Sequence, residues 1–151
     1  MAVRFLVDFM LGKLARELRV LGIDALYIEK KDLAANPLSA LKSAKQTDRI
    51  FLTRNTKLKA YPEVLFIRSE KAEEQVSQII KHFNLQKEIK PFTRCLRCNQ
   101  KLVSVAKDDV KGKVPFYIFQ TKDKFACCLK CEKYYWEGTH LKNMRQKITK
   151  Y

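Results

Sequence analysis

A chain of 151 residues with 46% hydrophobic content can bury one modest core and a small attached module, which excludes an enzyme of several domains. Thirty-one Lys and Arg against sixteen Asp and Glu give a formal charge of +15, so a polyanionic partner is the first expectation. Four Pro and four Gly exclude collagen-like and disordered compositions, and no apolar run approaches the length of a membrane span.

The expectation is therefore a soluble globular protein without membrane association. The segment 1–7 has one basic residue and runs directly into Asp8, which does not fit a signal peptide. The cysteines are accordingly read as belonging to a reducing, cytoplasmic compartment.

In chain order, Val3 to Val7 is an apolar run broken by Arg4, and it reads as a buried strand that delivers Asp8 at its C-terminal end. Leu11, Leu14, Ala15, Leu18 and Leu21 follow at helical spacing, and Gly22 stops the helix. Ala25 to Ile28 is a second strand, and Asp32 opens a turn or caps a segment around Leu38 to Ala44. Arg49 to Thr53 is a third strand and Val64 to Ile67 a fourth. Ala72, Val76, Ile79, Ile80 and Phe83 mark one face of a further helix. This alternation predicts a small three-layer α/β unit with a parallel sheet over residues 1–90.

The remaining residues, 91–151, have a different character. They carry 14 basic and 5 acidic residues against 17 and 11 before them, or +9 against +6, and they hold all five cysteines. Leu102 to Val105 and Phe116 to Phe119 are expected strands, and the basic residues of 142–150 a short helix or tail.

Cys95-x2-Cys98 and Cys128-x2-Cys131 are two knuckles separated by enough chain for a hairpin to bring them together, a spacing suited to a structural Zn2+ site of four thiolates. Cys127 could replace Cys128 as a ligand. Two disulfides plus a free thiol, in an exported protein, is the competing reading. Bound zinc would supply folding energy that a short basic segment otherwise lacks. Tyr134, Tyr135 and Trp136 lie beside Lys130, Lys133, Lys142 and Arg145, where aromatic rings can stack bases while cations hold phosphates. Packing of the module's own core is an equal explanation of Tyr134 and Trp136. His140 could touch nucleic acid or be an ordinary surface histidine.

A carboxylate closing an apolar strand, as Asp8 does, suits a divalent cation held against a phosphodiester; it equally suits the cap of the following helix. Asp32, with Glu29 nearby, could bring a second carboxylate, and Asn55 stands where a third acidic group would be expected. Lys13, Arg16, Arg19 and Arg54 are candidates for phosphate contacts, against the alternative of a solvated basic face and local ion pairs.

Phe5-Leu6-Val7-Asp8, Met10-Leu11-Gly12-Lys13-Leu14-Ala15-Arg16, Leu18-Arg19-x-Leu21-Gly22, Arg49 to Asn55, and the knuckles with Tyr135-Trp136-Glu137-Gly138-x-His140 together resemble the Mut-seven C-terminal ribonuclease family. The resemblance spans nearly the whole chain. It implies a PIN-like nuclease domain over 1–90 fused to a C-terminal zinc ribbon over 91–151, with metal-dependent cleavage of RNA. Asp8 matches the family's leading aspartate, Asp32 the acidic position after the second strand, and Arg54 the basic residue of its Thr-Arg-Asp motif. Asn55 departs from that motif, and Glu17 stands where the helix motif often has tryptophan.

Two functions are thus expected. The first is an endoribonuclease using Mg2+ or Mn2+ held by Asp8 and Asp32 with assistance from Asn55. The second is a catalytically weak or inactive RNA-binding protein, or ribonucleoprotein adaptor, on the same fold. RNA is the expected polyanion, and composition does not separate it from DNA.

Overall fold

The computed structural model describes residues 2–33, 36–138, 143 and 146, with the side chains of Asp32 and Leu33 outside that description. Four parallel strands, β1 (Phe5–Val7), β2 (Ala25–Tyr27), β3 (Ile50–Thr53) and β4 (Val64–Phe66), form one sheet in the order β2-β1-β3-β4. Helix α1 (Gly12–Val20) follows β1, α2 (Leu38–Gln46) precedes β3 and α3 (Ala72–Phe83) follows β4.

The three layers follow from the twofold alternation of side chains along a strand. Phe5 and Val7 of β1 join Leu52 of β3 in a core with Leu14, Leu18, Val76, Ile79 and Ile80 of α1 and α3. Leu6 and Phe51, one residue out of phase, face the other way onto Ala40, Leu41 and Ala44 of α2. With both faces covered, β1 is apolar throughout, as parallel strands commonly are.

From β1 the chain goes to β2 on one side, then passes through α2 to β3 on the other side of β1. The C-terminal ends of β1 and β3 therefore flank a topological switch point, the place where open α/β sheets collect ligands.

A second, antiparallel sheet contains β5 (Val103–Val105), β6 (Phe125–Cys128) and β7 (Lys133–Trp136) in that order. Its buried core is small: Val110, Ile118 and Phe125, flanked by Val105, Phe119, Tyr134 and Trp136.

The expected strand at Phe116–Phe119 is instead helix α4 (Phe116–Thr121). Pro115 starts the turn by accepting hydrogen bonds from the amides of Ile118 and Phe119. Ile118 is buried while Phe116 and Tyr117 are exposed, so burial here does not alternate as a half-buried strand requires. β-Prone side chains describe a fit to a pleated surface, which this segment does not have.

At α2 the side-chain bond to the first turn comes from Asn36, which accepts from the Leu38 amide at 3.0 Å. Asp32 lies in the separate 3-10 turn Lys30–Leu33, so the capping role expected for it falls to Asn36.

The two sheets meet along a polar seam. Arg19 of α1 is buried, and its guanidinium donates to the carbonyls of Ala25 (2.9 Å), Leu96 (2.9 Å) and Arg97 (3.1 Å). Asn99 accepts from the Ala25 amide at 3.0 Å and donates to Asp24 at 2.6 Å. Asp24 also pairs with Arg49 at 2.7 Å and Arg94 at 3.8 Å. Phe92 and Leu96 pack against the core of the parallel sheet.

Burial by itself would raise the Asp24 carboxyl. Hydrogen bonds from Arg49 and Asn99, with the charges of Arg49 and Arg94, outweigh it and hold Asp24 below the ordinary carboxylate value of 3.8. A carboxyl depressed on folding contributes stability that is complete above its unfolded pKa and is lost as pH falls through the lower folded one. Asp24→Asn should therefore cost about 1–3 kcal/mol at neutral pH, with the difference from the parent closing as acid titrates the carboxyl. Denaturant melts at neutral pH and below pH 3.8 would check this; a pH-independent difference would show that the charge does not matter.

Candidate metal centre and strand-end polar cluster

The four sulfurs of Cys95, Cys98, Cys128 and Cys131 lie within 4.8 Å of one another. The two knuckles share one local geometry. Asn99 follows the first at φ +72° and donates its amide to the Cys95 carbonyl at 2.9 Å; Glu132 follows the second at φ +56° and donates to the Cys128 carbonyl at 2.8 Å. Left-handed backbone outside glycine is uncommon, and here it folds each loop so that its two sulfurs converge.

None of the five cysteines is joined in a disulfide, and the convergence of four sulfurs favours the metal reading. Cys98 and Cys128 sulfurs are 3.4 Å apart, and those of Cys95 and Cys131 3.9 Å. Tetrahedral bonds of about 2.3 Å to a metal would set sulfurs roughly 3.8 Å apart, so the cluster fits such an ion. Cys127 is buried in β6 outside the cluster, because adjacent strand residues point to opposite faces.

Burial pushes the Cys95 thiol up, but hydrogen bonds from Tyr135 and from the amides of Cys98 and Arg97 outweigh it and bring the group to about 6. Cys98, raised by burial and by the protons it shares with the other three thiols, is pushed up to about 12. Protein groups thus favour the thiolate at Cys95 and the thiol at Cys98; a bound cation would favour the thiolate form of its ligands. Arg19 adds a fixed positive charge nearby: burial lowers its pKa, and the charges of Cys95, Cys98 and Asp24 oppose that shift.

Tyr135 belongs to this centre. Its hydroxyl is 3.1 Å from the Cys95 sulfur and accepts from the Leu96 amide at 3.2 Å. Tyr134 and Trp136, on the opposite face of β7, pack on the small core. Lys130 and Lys133 are exposed, with Lys133 5.7 Å from the Tyr135 ring centroid. His140, Lys142, Arg145 and Tyr151 lie outside the described residues.

At the switch point Asp8 is 3% exposed. One carboxylate oxygen accepts from the Phe9 amide at 2.8 Å, and the other from the Thr53 hydroxyl at 2.6 Å. Asp8 thus caps the turn Phe9–Leu11, and it is also joined to the end of β3. Thr53 accepts in turn from the Asn55 amide at 3.0 Å, while the Asn55 side chain accepts from the Lys57 amide at 3.0 Å. Asp8, Thr53 and Asn55 therefore form one hydrogen-bonded chain across β1 and β3. Thr53 is the member that sequence reasoning missed; its place beside Arg54 and Asn55 was the available signal.

Lys13 and Arg16 are exposed on α1. Arg54 donates to the carbonyls of Ile67 (3.0 Å) and Arg68 (2.8 Å) and pairs with Glu70 at 3.7 Å, so it ties the ends of β3 and β4 together. Arg19 serves the seam, through the carbonyls of Ala25, Leu96 and Arg97. Asp24, Arg94 and Asn99 went unnoticed in the sequence because their partners are defined by folding.

These features define an α/β protein with a parallel sheet, a hydrogen-bonded polar cluster at its switch point and a four-cysteine metal-binding motif. The model of the Mut7-C RNAse domain matches residues 3–148, nearly the whole chain, and the protein belongs to that family. No curated protein and no solved structure matches it. Among the described residues, no helix is long and apolar enough to cross a membrane.

Proposed function

We propose that the protein is a divalent-metal-dependent endoribonuclease, with a PIN-like unit over residues 1–90 and a zinc ribbon over 91–151. Asp8 carries this reading: a nearly buried carboxylate stands at the switch point of a nuclease-family fold, bound on each oxygen by one protein donor. Each oxygen keeps a second lone pair, and oxygen donors are what Mg2+ and Mn2+ take.

Asp8 and Asp32, with the Asn55 amide oxygen, would hold the ion. When bound, such an ion polarises a phosphodiester and lowers the pKa of water for attack. Thr53 and the Phe9 amide fix the Asp8 carboxylate in place, and exposed Lys13 and Arg16 hold the RNA backbone. In the ribbon, Cys95, Cys98, Cys128 and Cys131 would hold zinc with all four thiolates, leaving it a structural role. Lys130, Lys133, Lys142 and Trp136 extend the nucleic-acid surface.

Asp8→Asn should lower Mn2+-dependent cleavage of labelled RNA by at least about 100-fold while the melting curve stays cooperative. Cleavage at the parental rate by a folded variant would sink the mechanism. DNA substrates in the same panel test the choice of polyanion.

A second reading, RNA binding without turnover, is favoured by Asn55, which supplies an amide where the resemblance implies a carboxylate. Asn55→Asp keeps an oxygen acceptor for the Lys57 amide, so the fold should tolerate it. A gain of cleavage from an inactive parent would establish this second reading.

A further inference from the structure

At the junction of the two sheets lies a cavity of about 230 Å3. Val20, Phe92, Leu96, Leu102, Tyr135 and Trp136 form its mainly apolar wall, and exposed Arg16 lies among its lining residues. Among the described residues, no acidic side chain lines it. Arg19 and Arg94 also border it, with guanidinium groups engaged by backbone carbonyls and, for Arg94, by Asp24 at 3.8 Å, so exposed Arg16 is the cation placed to meet a phosphate beside the mainly apolar wall.

We infer that this cavity is a binding site for one unstacked nucleobase of single-stranded RNA, which stacks on Trp136 while Arg16 holds the adjoining phosphate. The inference rests on the proposed RNA substrate and adds a subsite apart from the Asp8 cluster. Three observations lead to it. The volume is below the roughly 300–1,000 Å3 of sites for drug-sized ligands, which suits a single planar group. An indole beside a guanidinium is the pairing that grips a base and its phosphate together. A chain of charge +15 draws a polyanion to its surface, and a wall without carboxylates does not repel it.

Location gives the site a positioning role. Helix α1 runs from the Asp8 end of the fold to this cavity, and Gly12 to Val20 spans about 12 Å at about 1.5 Å per residue. A base held beside Val20 would fix the strand about two helical turns from the start of α1. Such a base helps set which phosphodiester reaches Asp8 and takes no part in cleavage itself.

Trp136 is the single tryptophan of the chain, so its emission reports directly on the cavity. The test titrates full-length, metal-loaded protein with a short labelled oligoadenylate in buffer without added Mg2+ or Mn2+. Anisotropy of the label measures binding and tryptophan emission measures stacking. Quenching should track binding, Trp136→Leu should weaken affinity about tenfold, and Arg16→Ala, on the surface, should weaken it several-fold.

Inorganic polyphosphate, a polyanion without bases, should bind without quenching. RNA binding that leaves Trp136 emission unchanged would overturn the base site and leave the ribonuclease reading standing. Equal quenching by polyphosphate would reduce the site to charge attraction and overturn it as well. Absence of any RNA binding would overturn both.

Discussion

Stripping the metal from the four-cysteine cluster should melt the antiparallel sheet and loosen β2 together with the end of α1. The first effect follows from size. The antiparallel sheet buries Val110, Ile118 and Phe125 as its apolar core, too little to hold a small module without a staple. Structural zinc supplies about 10–16 kcal/mol of apparent binding free energy, much of it expressed as folding.

The second effect follows from where the first knuckle sits. Leu96 and Arg97, between its two cysteines, accept from Arg19, and Asn99 directly after it accepts from the first amide of β2. Once the knuckle opens, the buried Arg19 guanidinium loses two of its three carbonyl partners, and stranded buried charges are expensive. The melting temperature should fall by more than about 10 °C, since each kcal/mol is worth about 2–4 °C in a chain of this size. Hydrogen exchange should quicken at the Ala25 and Lys90 amides as well as within β5–β7. Exchange confined to the antiparallel sheet would show that the seam bears no load.

Much of this architecture could be read from the sequence because the responsible patterns are local. Strand β1 is apolar on both faces, and the phase difference between Phe5, Val7 and Leu6 already implies cover on two sides. Helices α1 and α3 carry their core residues at a helical period, and the cysteine spacing foretold a metal-binding cluster. Once β6 is known to be a strand, alternation also separates Cys127 from Cys128.

The seam was not legible. Asp24 meets Asn99 across 75 residues, and Arg19 reaches Leu96 across 77. Nothing local distinguishes Arg19 from Arg16, although one is buried and the other exposed. Arg19 consequently looked like a phosphate contact, while folding gives it carbonyl partners. Phe116–Phe119 misled for a related reason: intrinsic β-preference was strong, but Pro115 and the need to bury Ile118 decided the conformation.

Gly22→Ala should be among the most damaging single substitutions available outside the metal cluster. Gly22 ends α1 at φ +79°, where a side chain costs about 1–2 kcal/mol whatever surrounds it. A Cβ there would also lie 2.1 Å from the Lys90 carbonyl oxygen and 2.6 Å from the Thr93 hydroxyl. Neither neighbour is free to yield. The Lys90 amide donates to the Leu21 carbonyl at 2.9 Å, and the Thr93 hydroxyl donates to the Lys90 carbonyl at 2.6 Å. Relieving the clash would push the whole 90–93 segment, with the knuckle behind it, away from α1. Overpacking of this kind adds about 1–3 kcal/mol, for a combined cost of about 2–5 kcal/mol.

Gly112 supplies the control, since it has nearly the same φ, +80°, and a Cβ there would meet nothing within 4 Å. Gly112→Ala should pay the backbone cost alone. Chemical denaturation of both variants isolates the steric part by difference: a gap of about 1–3 kcal/mol would show that the two sheets are held as closely in solution as Gly22 requires. Equal losses would mean that the 90–93 segment gives way freely and that the knuckle is not pinned to α1. In that case the cavity beside Trp136 would have no fixed wall, and the base-binding site would lose its structural basis as well.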